Sequence, residues 1–284
     1  MGKTPDTGAC SLSISLVHYH SDATLLAQTM HSCQEAVILA KEEGLLFKAT
    51  LFFVENSEDE YVKGILLGIK HHWPGEIHVI RPGRNLGFGA GHNLALERLL
   101  KSHDSSAFHL ILNPDVILNR DAISKAIEFM LTHSQTACLT PFCVNGEGKK
   151  VYLCKQYPSV LLLVARSLFK DTKLNFLQRR LHDYEMRGLT EEVVVESVPI
   201  ASGCFMFWRT QALLELRGFD TRFFLYFEDF DLSLRLDKEW RISYVPQVKI
   251  THFGGNAFQK GLRHIYLFCK SGFRFFQKHG WRWV

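Results

Sequence analysis

Long hydrophobic runs are missing from this chain: the longest is the six residues from Val160 to Ala165. A spanning helix needs about 20. The first 20 residues also lack a basic start followed by an apolar block, so a secretory leader is not predicted. The expectation is a cytoplasmic chain that does not cross a membrane. Proline is scarce, at 8 of 284 residues, and the 20 glycines follow no period, which excludes collagen-like and low-complexity structure. The seven cysteines are odd in number and form no C-x-x-C pair, so neither a zinc ribbon nor a disulfide framework is expected. That usage fits a reducing compartment. Neither sign of charge dominates, with 33 Lys plus Arg against 29 Asp plus Glu. A net charge of +4 gives no ground for a nucleic-acid partner. What is present is a 46% hydrophobic chain long enough for one large domain with a continuous core.

Apolar runs at Leu12 to His18 and Ala49 to Val54 flank a helical segment from Asp22 to Glu43 that stops at Gly44. Further strands are expected at Ile77 to Ile80 and Phe108 to Leu112, with a helix from about Ala90 to Lys101 between them. This alternation predicts an α/β fold, a Rossmann-like and mostly parallel central sheet with helices on both faces. Ligands of such sheets sit beyond the carboxyl ends of the strands, here Glu55, Arg84 to Asn93, and Asn113 to Asp115. The segment Tyr157 to Thr190 breaks the alternation. Beyond it, Val193 to Val198, Cys204 to Trp208 and Ser243 to Ile250 read as strands, with a short helix to Leu216 and a turn at Arg217 to Asp220.

Residues 256–284 hold six Lys or Arg, no acid and eight aromatics. At helical spacing Lys260, Arg263, Lys270, Arg274 and Lys278 share one arc, with Ile265, Phe268, Phe273, Phe275 and Phe276 opposite. The pattern fits a helix packed on the body with a solvated basic face. It fits equally an interfacial helix on an anionic membrane surface, with Trp281 and Trp283 at the boundary.

Three further clusters carry chemistry. Asn113-Pro114-Asp115 follows an apolar strand and offers a carboxylate for a hard cation shared with a ligand; it is also an ordinary turn composition. Asn85 to Asn93 places Gly87, Gly89 and Gly91 at a helix start, where bare N–H groups favour an anion. It is neither a dinucleotide fingerprint, since His92 stands where glycine is required, nor a P-loop. A nucleotide-sugar phosphate ranks above NAD or ATP here, and a plain turn is the bland alternative. Glu228-Asp229-Phe230-Asp231 crowds three acids among aromatics. At a helix start Asp231 and Arg235 would pair at i,i+4, and crowding would raise the pKa of one acid toward that of a general base. An acidic first helical turn without chemistry has the same composition. His252, after a strand, is a candidate ligand.

The ordered set resembles the family-2 inverting glycosyltransferases of the GT-A fold, in particular their rhamnosyltransferase-like branch. It is carried by Val54-Glu55-Asn56-Ser57, Asn85 to Asn93, Leu112-Asn113-Pro114-Asp115, Ser202-Gly203-Cys204-Phe205, and Gly218-Phe219-Asp220 through Glu228-Asp229-Phe230-Asp231-Leu232 and Arg235 to His252, across residues 11–256. The resemblance implies sugar transfer from a nucleoside diphosphate donor, dTDP-L-rhamnose by branch, to a saccharide or lipid-linked saccharide acceptor. It implies a catalytic domain over 1–255, with a nucleotide half to 118 and an acceptor half beyond, followed by a C-terminal helix from 256. By position it makes Asp229 the base, with Glu228 beside it. His18, Tyr19, Glu55, Asn56, Asn85, Gly87, Gly91, Asn93, Asp115 and Gly203 would bind the nucleotide sugar, and Asp115 with His252 would hold Mg²⁺ or Mn²⁺. Glu55 replaces the usual Asp, Asn113 replaces the first acid of the metal motif, and His18-Tyr19-His20 replaces the usual Tyr-Asn. Other hexosyl donors remain open. Two further readings stand beside this one. Nucleotidyl transfer would want a basic glycine-rich loop after the first strand, which His18 to Asp22 does not supply. A non-catalytic scaffold draws support from Asn113 but leaves the crowded acids without a purpose.

Overall fold

The computed structural model describes residues 9–101, 106–168, 175–254 and 261–284. The first half alternates as the sequence predicts: β1 (Cys10–His18), α1 (Ala23–Glu42), β2 (Leu46–Glu55), α2 (Glu60–Lys70), β3 (Glu76–Ile80), α3 (Phe88–Lys101) and β4 (Phe108–Leu112). Then follow β5 (Val116–Leu118), α4 (Ala122–Thr132), β6 (Thr136–Val144), β7 (Lys150–Val151), β8 (Cys154–Lys155), α5 (Val160–Leu168) and α6 (Asn175–Tyr184). The chain closes with β9 (Ile200–Ala201), β10 (Phe205–Arg209), α7 (Thr210–Glu215), α8 (Glu228–Leu234), β11 (Arg241–His252) and α9 (Leu262–His279). Asp22 caps α1, its carboxylate accepting from the Leu25 N–H at 2.9 Å, and the chain turns out at Gly44 with φ +73°.

The main sheet runs β3-β2-β1-β4-β10-β6-β11-β5. The four strands β3 to β4 are parallel, β10 is antiparallel to both neighbours, β11 is parallel to β6, and β5 is antiparallel to β11. Alternation along β1 decides which face each helix covers. Leu12, Ile14 and Leu16 join the core under α1, α2 and α4, while Val17 meets Ala95 and Leu99 of α3 on the other face. Helices therefore cover both faces, as expected.

The α3 face also buries a polar chain. Ser13 Oγ lies 2.7 Å from His109 Nδ1, Ser15 Oγ 2.9 Å from His109 Nε2, and Ser15 Oγ 2.7 Å from His92 Nδ1. Burial holds both imidazoles neutral, lowering His109 to about 3. These bonds fix the register of β1 on β4, since a one-residue slip would strand them.

Two expectations are corrected. Val193 to Val198 forms no strand: Val195 makes an isolated antiparallel bridge to Tyr244, and the Val198 N–H donates to the Ile242 carbonyl at 2.9 Å. The basic arc of α9 keeps Arg263, Lys270 and Lys278 exposed, but its last turns are tied to the body. Lys278 Nζ lies 2.6 Å from Asp231 and 2.8 Å from Asp220, and Arg274 donates to the Arg222 carbonyl. Lys260 lies outside the described residues. Phe268, Phe275 and Phe276 pack inward on Phe223, Phe227 and Phe230, whereas Phe273 is exposed.

Asp231 is fully buried and receives Arg235 Nε at 2.8 Å, Lys278 Nζ at 2.6 Å and His279 Nε2 at 2.8 Å. The i,i+4 pair read from the sequence is present. Burial works against the carboxylate, but the three partners outweigh it and hold its pKa below the ordinary value. Asp231→Ala should destabilise the fold by about 3–5 kcal/mol by leaving cations without their counter-charge. A depressed carboxyl contributes stability above its unfolded pKa of about 3.9 and loses it as pH falls through the folded value. Denaturant melts should therefore show the gap between variant and wild type full near neutrality and shrinking below about pH 4.

Candidate active site

The carboxyl ends of β1, β2 and β4 open into one cleft of about 950 Å³. Its walls include Tyr19 and His20 after β1, Asn56 after β2, Asn85 and Gly87 before α3, and Asn113 to Asp115 after β4. This is the crevice where the parallel half of the sheet reverses its strand order. Gly87 has φ +86°, and a Cβ there would collide with the Phe224 carbonyl, so the loop closes onto the segment before α8. Asn85 Oδ1 accepts from the Gly87 N–H at 2.8 Å, and Asn56 Nδ2 donates to the Gly87 carbonyl at 3.1 Å.

On the β4 side, Asp115 Oδ1 and His252 Nε2 stand 3.3 Å apart, and a Cβ on Gly254 would collide with Asp115. Asn113 Oδ1 is buried beside them with no partner. A carboxylate, an imidazole and an unengaged amide oxygen make a donor set that fits a divalent cation sharing its remaining positions with a ligand. No cluster of three or more His, Cys, Asp or Glu with metal-holding geometry occurs among the described residues. A metal here would accordingly be held by few side chains.

The acids of α8 join this edge through backbone. The Asn113 N–H donates to the Cys204 carbonyl at 2.9 Å, and the adjacent Gly203 N–H donates to Asp229 Oδ2 at 2.9 Å. Asp229 Oδ1 takes the Phe230 N–H at 2.9 Å. Burial raises its pKa, and those N–H donors oppose the shift. Glu228 is buried with Oε2 unpartnered, and burial followed by the neighbouring Asp229 charge drives its pKa well up. Tyr226 and Phe227, just before it, both lie in the left-handed region, at φ 71° and 66°. Tyr226 is held there by its hydroxyl, 2.7 Å from His264 Nδ1, and Phe227 by the rings of Phe230, Phe268 and Phe275.

The structure does not bring every expected residue to the cleft. Tyr19, Asn56, Asn85, Gly87, Asp115 and His252 line it. Glu55 is buried, with Oε2 taken by Arg81 Nε at 2.7 Å. His18 is buried 2.9 Å from Asp59, whose pKa falls to about 2 through the Ser57 hydroxyl and then the His18 and His20 bonds. Asn93 spends its amide on the Phe219 backbone, at 2.8 and 2.9 Å, and so fixes the turn before α8. Gly91 packs on Val17, and Gly203 abuts Phe88 and Asp229 one layer behind the wall. Sequence reasoning missed Asn145 to Glu147, Phe253, Arg263, His264 and Leu267, all of which line the cleft. Asn-Gly at 145–146 signalled a turn, but nothing local reported where α9 would begin.

Residues 24–265 match the family described as glycosyltransferase like family 2. The rhamnosyltransferase WbbL of Escherichia coli K12 is 25% identical over 240 residues, 78% of this chain and 84% of that protein. The N-acetylglucosaminyl-diphospho-decaprenol L-rhamnosyltransferase of Mycobacterium tuberculosis is 25% identical over 183 residues, 62% of this chain and 58% of that protein. The mannosyltransferase of Pyrobaculum calidifontis, solved with GDP-Man and Mn²⁺, superposes with a TM-score of 0.60 at 13% identity, covering 95% of this chain and 66% of that one. That likeness bears on the fold, which is the GT-A α/β fold. With most of its length inside the family match, the chain belongs to glycosyltransferase like family 2 and is a glycosyltransferase.

Proposed function

We propose that the protein is an inverting transferase that moves a sugar, L-rhamnose from dTDP-L-rhamnose, to a hydroxyl of a polysaccharide or lipid-linked saccharide. The observation that carries this reading is the backbone path from Asn113 through Cys204 and Gly203 to Asp229, which ties the base to the strand end that carries Asn113 and Asp115. The rhamnosyl donor is supported by the two rhamnosyltransferase relatives.

Asp229 and Glu228 have unlike surroundings, and that separates their roles. Two backbone N–H groups support charge on Asp229, while Glu228 Oε2 has no donor and favours its proton. With Glu228 neutral, Asp229 is the carboxylate of the pair and retains lone pairs for an acceptor hydroxyl. It takes the hydroxyl proton as that oxygen bonds to the anomeric carbon, and the bond to the diphosphate breaks with its electron pair leaving on phosphate. One displacement inverts the centre. Tyr19, Asn56, Asn85 and Gly87 hold the nucleoside and sugar on the β1 and β2 side. Asp115 and His252, with the Asn113 amide, would hold Mg²⁺ or Mn²⁺, which when bound neutralises charge on the departing diphosphate.

Asp229→Asn should lower kcat by about 10²–10⁴ while nucleotide-induced thermal stabilisation persists; unchanged turnover would remove Asp229 as the base. Asp115→Ala should weaken nucleotide stabilisation in Mn²⁺ or Mg²⁺ and leave it unchanged in EDTA, whereas equal loss in both would mark a structural role. A panel of dTDP, UDP, GDP and CDP tests the donor directly, since a ligand at 100 Kd adds about 2.7 kcal/mol; a shift with UDP or GDP alone would reject dTDP. Glu228, with its raised carboxyl pKa, is stabilising-neutral below its unfolded value and costs stability as pH rises above it. Glu228→Gln should therefore raise Tm near pH 7 more than near pH 4, about the unfolded Glu value.

A further inference from the structure

The outward side of α9 carries an apolar stripe beside its exposed Arg263, Lys270 and Gln277. Leu262 is 84% exposed, Tyr266 62% and Phe273 55%, at i, i+4 and i+11, with exposed Cys269 between them. The stripe continues past the helix. Phe273 meets the Trp281 ring edge-on at 5.6 Å, and Trp281 stacks on Trp283 at 5.2 Å; both tryptophans are exposed.

A second segment extends the patch. The first N–H groups of α5 have no helical partner, and the tail supplies it: Val160 N donates to the Arg282 carbonyl at 2.8 Å and Leu161 N to the Trp283 carbonyl at 3.1 Å. Tyr157 Oη donates to the Gly280 carbonyl at 2.6 Å. Exposed Leu161 and Val164 thus adjoin the tryptophans on one pinned surface. Neither α5 nor the chain from 256 onward contains an acid, whereas Lys270, over the Tyr266 ring at 5.8 Å, and Arg282 border the patch.

We propose that this surface docks the protein on a bilayer bearing anionic lipid. Exposed aromatics at the end of a basic, acid-free segment match the headgroup boundary, where indole rings sit and lipid phosphates supply the missing negative charge. A second copy of the chain fits less well. A two-fold contact would set the patch against itself and bring like cations together with no carboxylate from α5 or the tail to answer them. The contact would also orient the cleft, because Arg263, His264 and Leu267 in the first turns of α9 form part of its wall. On the proposed function, this holds the acceptor-binding rim next to the surface that would carry a lipid-linked saccharide.

Flotation with vesicles of phosphatidylcholine alone, or mixed with phosphatidylglycerol, tests the docking directly. Wild type should float with the anionic vesicles, release in high salt and stay behind with phosphatidylcholine alone. Phe273→Ser with Trp283→Ser should cut partitioning by about tenfold or more, and Lys270→Glu by about fivefold per unit of charge lost. Tyr266→Ser, on the same stripe but outside the tryptophan stack, provides an independent variant if the double change impairs folding. Each should keep the wild-type melt and the wild-type nucleotide response, which reads the cleft and so separates failure here from failure of the donor assignment. Wild type left unbound by anionic vesicles at low salt would overturn the proposal. So would variants that bind vesicles as wild type does but lose a concentration-dependent dimer in sedimentation, which would assign the patch to a second copy.

Discussion

A single carboxylate with no exposure to water organises the half of the molecule that carries the acids. Asp231 draws Arg235 from its own helix and Lys278 and His279 from α9. Arg235 then passes the constraint on, donating to the Leu216 and Gly218 carbonyls at 2.6 Å each. The end of α7, the turn before α8 and the last turn of α9 are thereby referenced to one point. A charge this deep is tolerable only with its partners in place, so α8 cannot rotate without losing several contacts together. Asp229 lies two residues earlier on that helix, and its orientation is inherited from Asp231.

The same packing sustains the backbone at Tyr226 and Phe227. Two consecutive non-glycine residues in the left-handed region are costly, and an aromatic cluster shared with α9 offsets them. The gain is electrostatic. The turn delivers Glu228 into a site without a donor for Oε2 and Asp229 onto two N–H groups, so burial pushes both acids toward their protonated forms but Glu228 the further. Stability is given up at Glu228 to make its neighbour the better-supported carboxylate.

The sequence was most readable where structure is local. Period-two and helical patterns located β1, α1, β2, α3 and β4 to within a few residues, and the spacing of Asp231 and Arg235 announced their pair. It misled where a side chain answers to a distant segment. Glu55 is a strand-end acid by sequence, but Arg81 from the neighbouring strand end claims it. Asn93 ends a glycine-rich anion loop by sequence, but a turn 126 residues away takes both its amide atoms. The helical wheel of α9 sorted residues by polarity, yet a buried acid beneath the helix pulls Lys278 inward and leaves Phe273 outside. Val193 to Val198 had strand composition but joins β11 through an isolated bridge at Val195 and one bond from Val198.

Charge in the cleft bears on how its two sides divide the work. Arg263 is the one Lys or Arg among the lining residues described, and Asp22, Asp115 and Glu147 line the same space. A nucleoside diphosphate brings further negative charge into a wall that is already acidic, and a lone exposed guanidinium offsets little of it. On the proposed function, the deficit falls to a divalent cation at Asp115 and His252. The replacement of an acid by Asn113 then has a physical sense: a neutral oxygen still donates a lone pair to the metal while leaving more of its positive charge for the diphosphate. The proposed base faces the opposite demand. Asp229 is not among the residues that line the cleft; it abuts Gly203 next to Phe88, which does line it, and on the proposed function the two backbone N–H groups support its charge while leaving lone pairs for the acceptor hydroxyl.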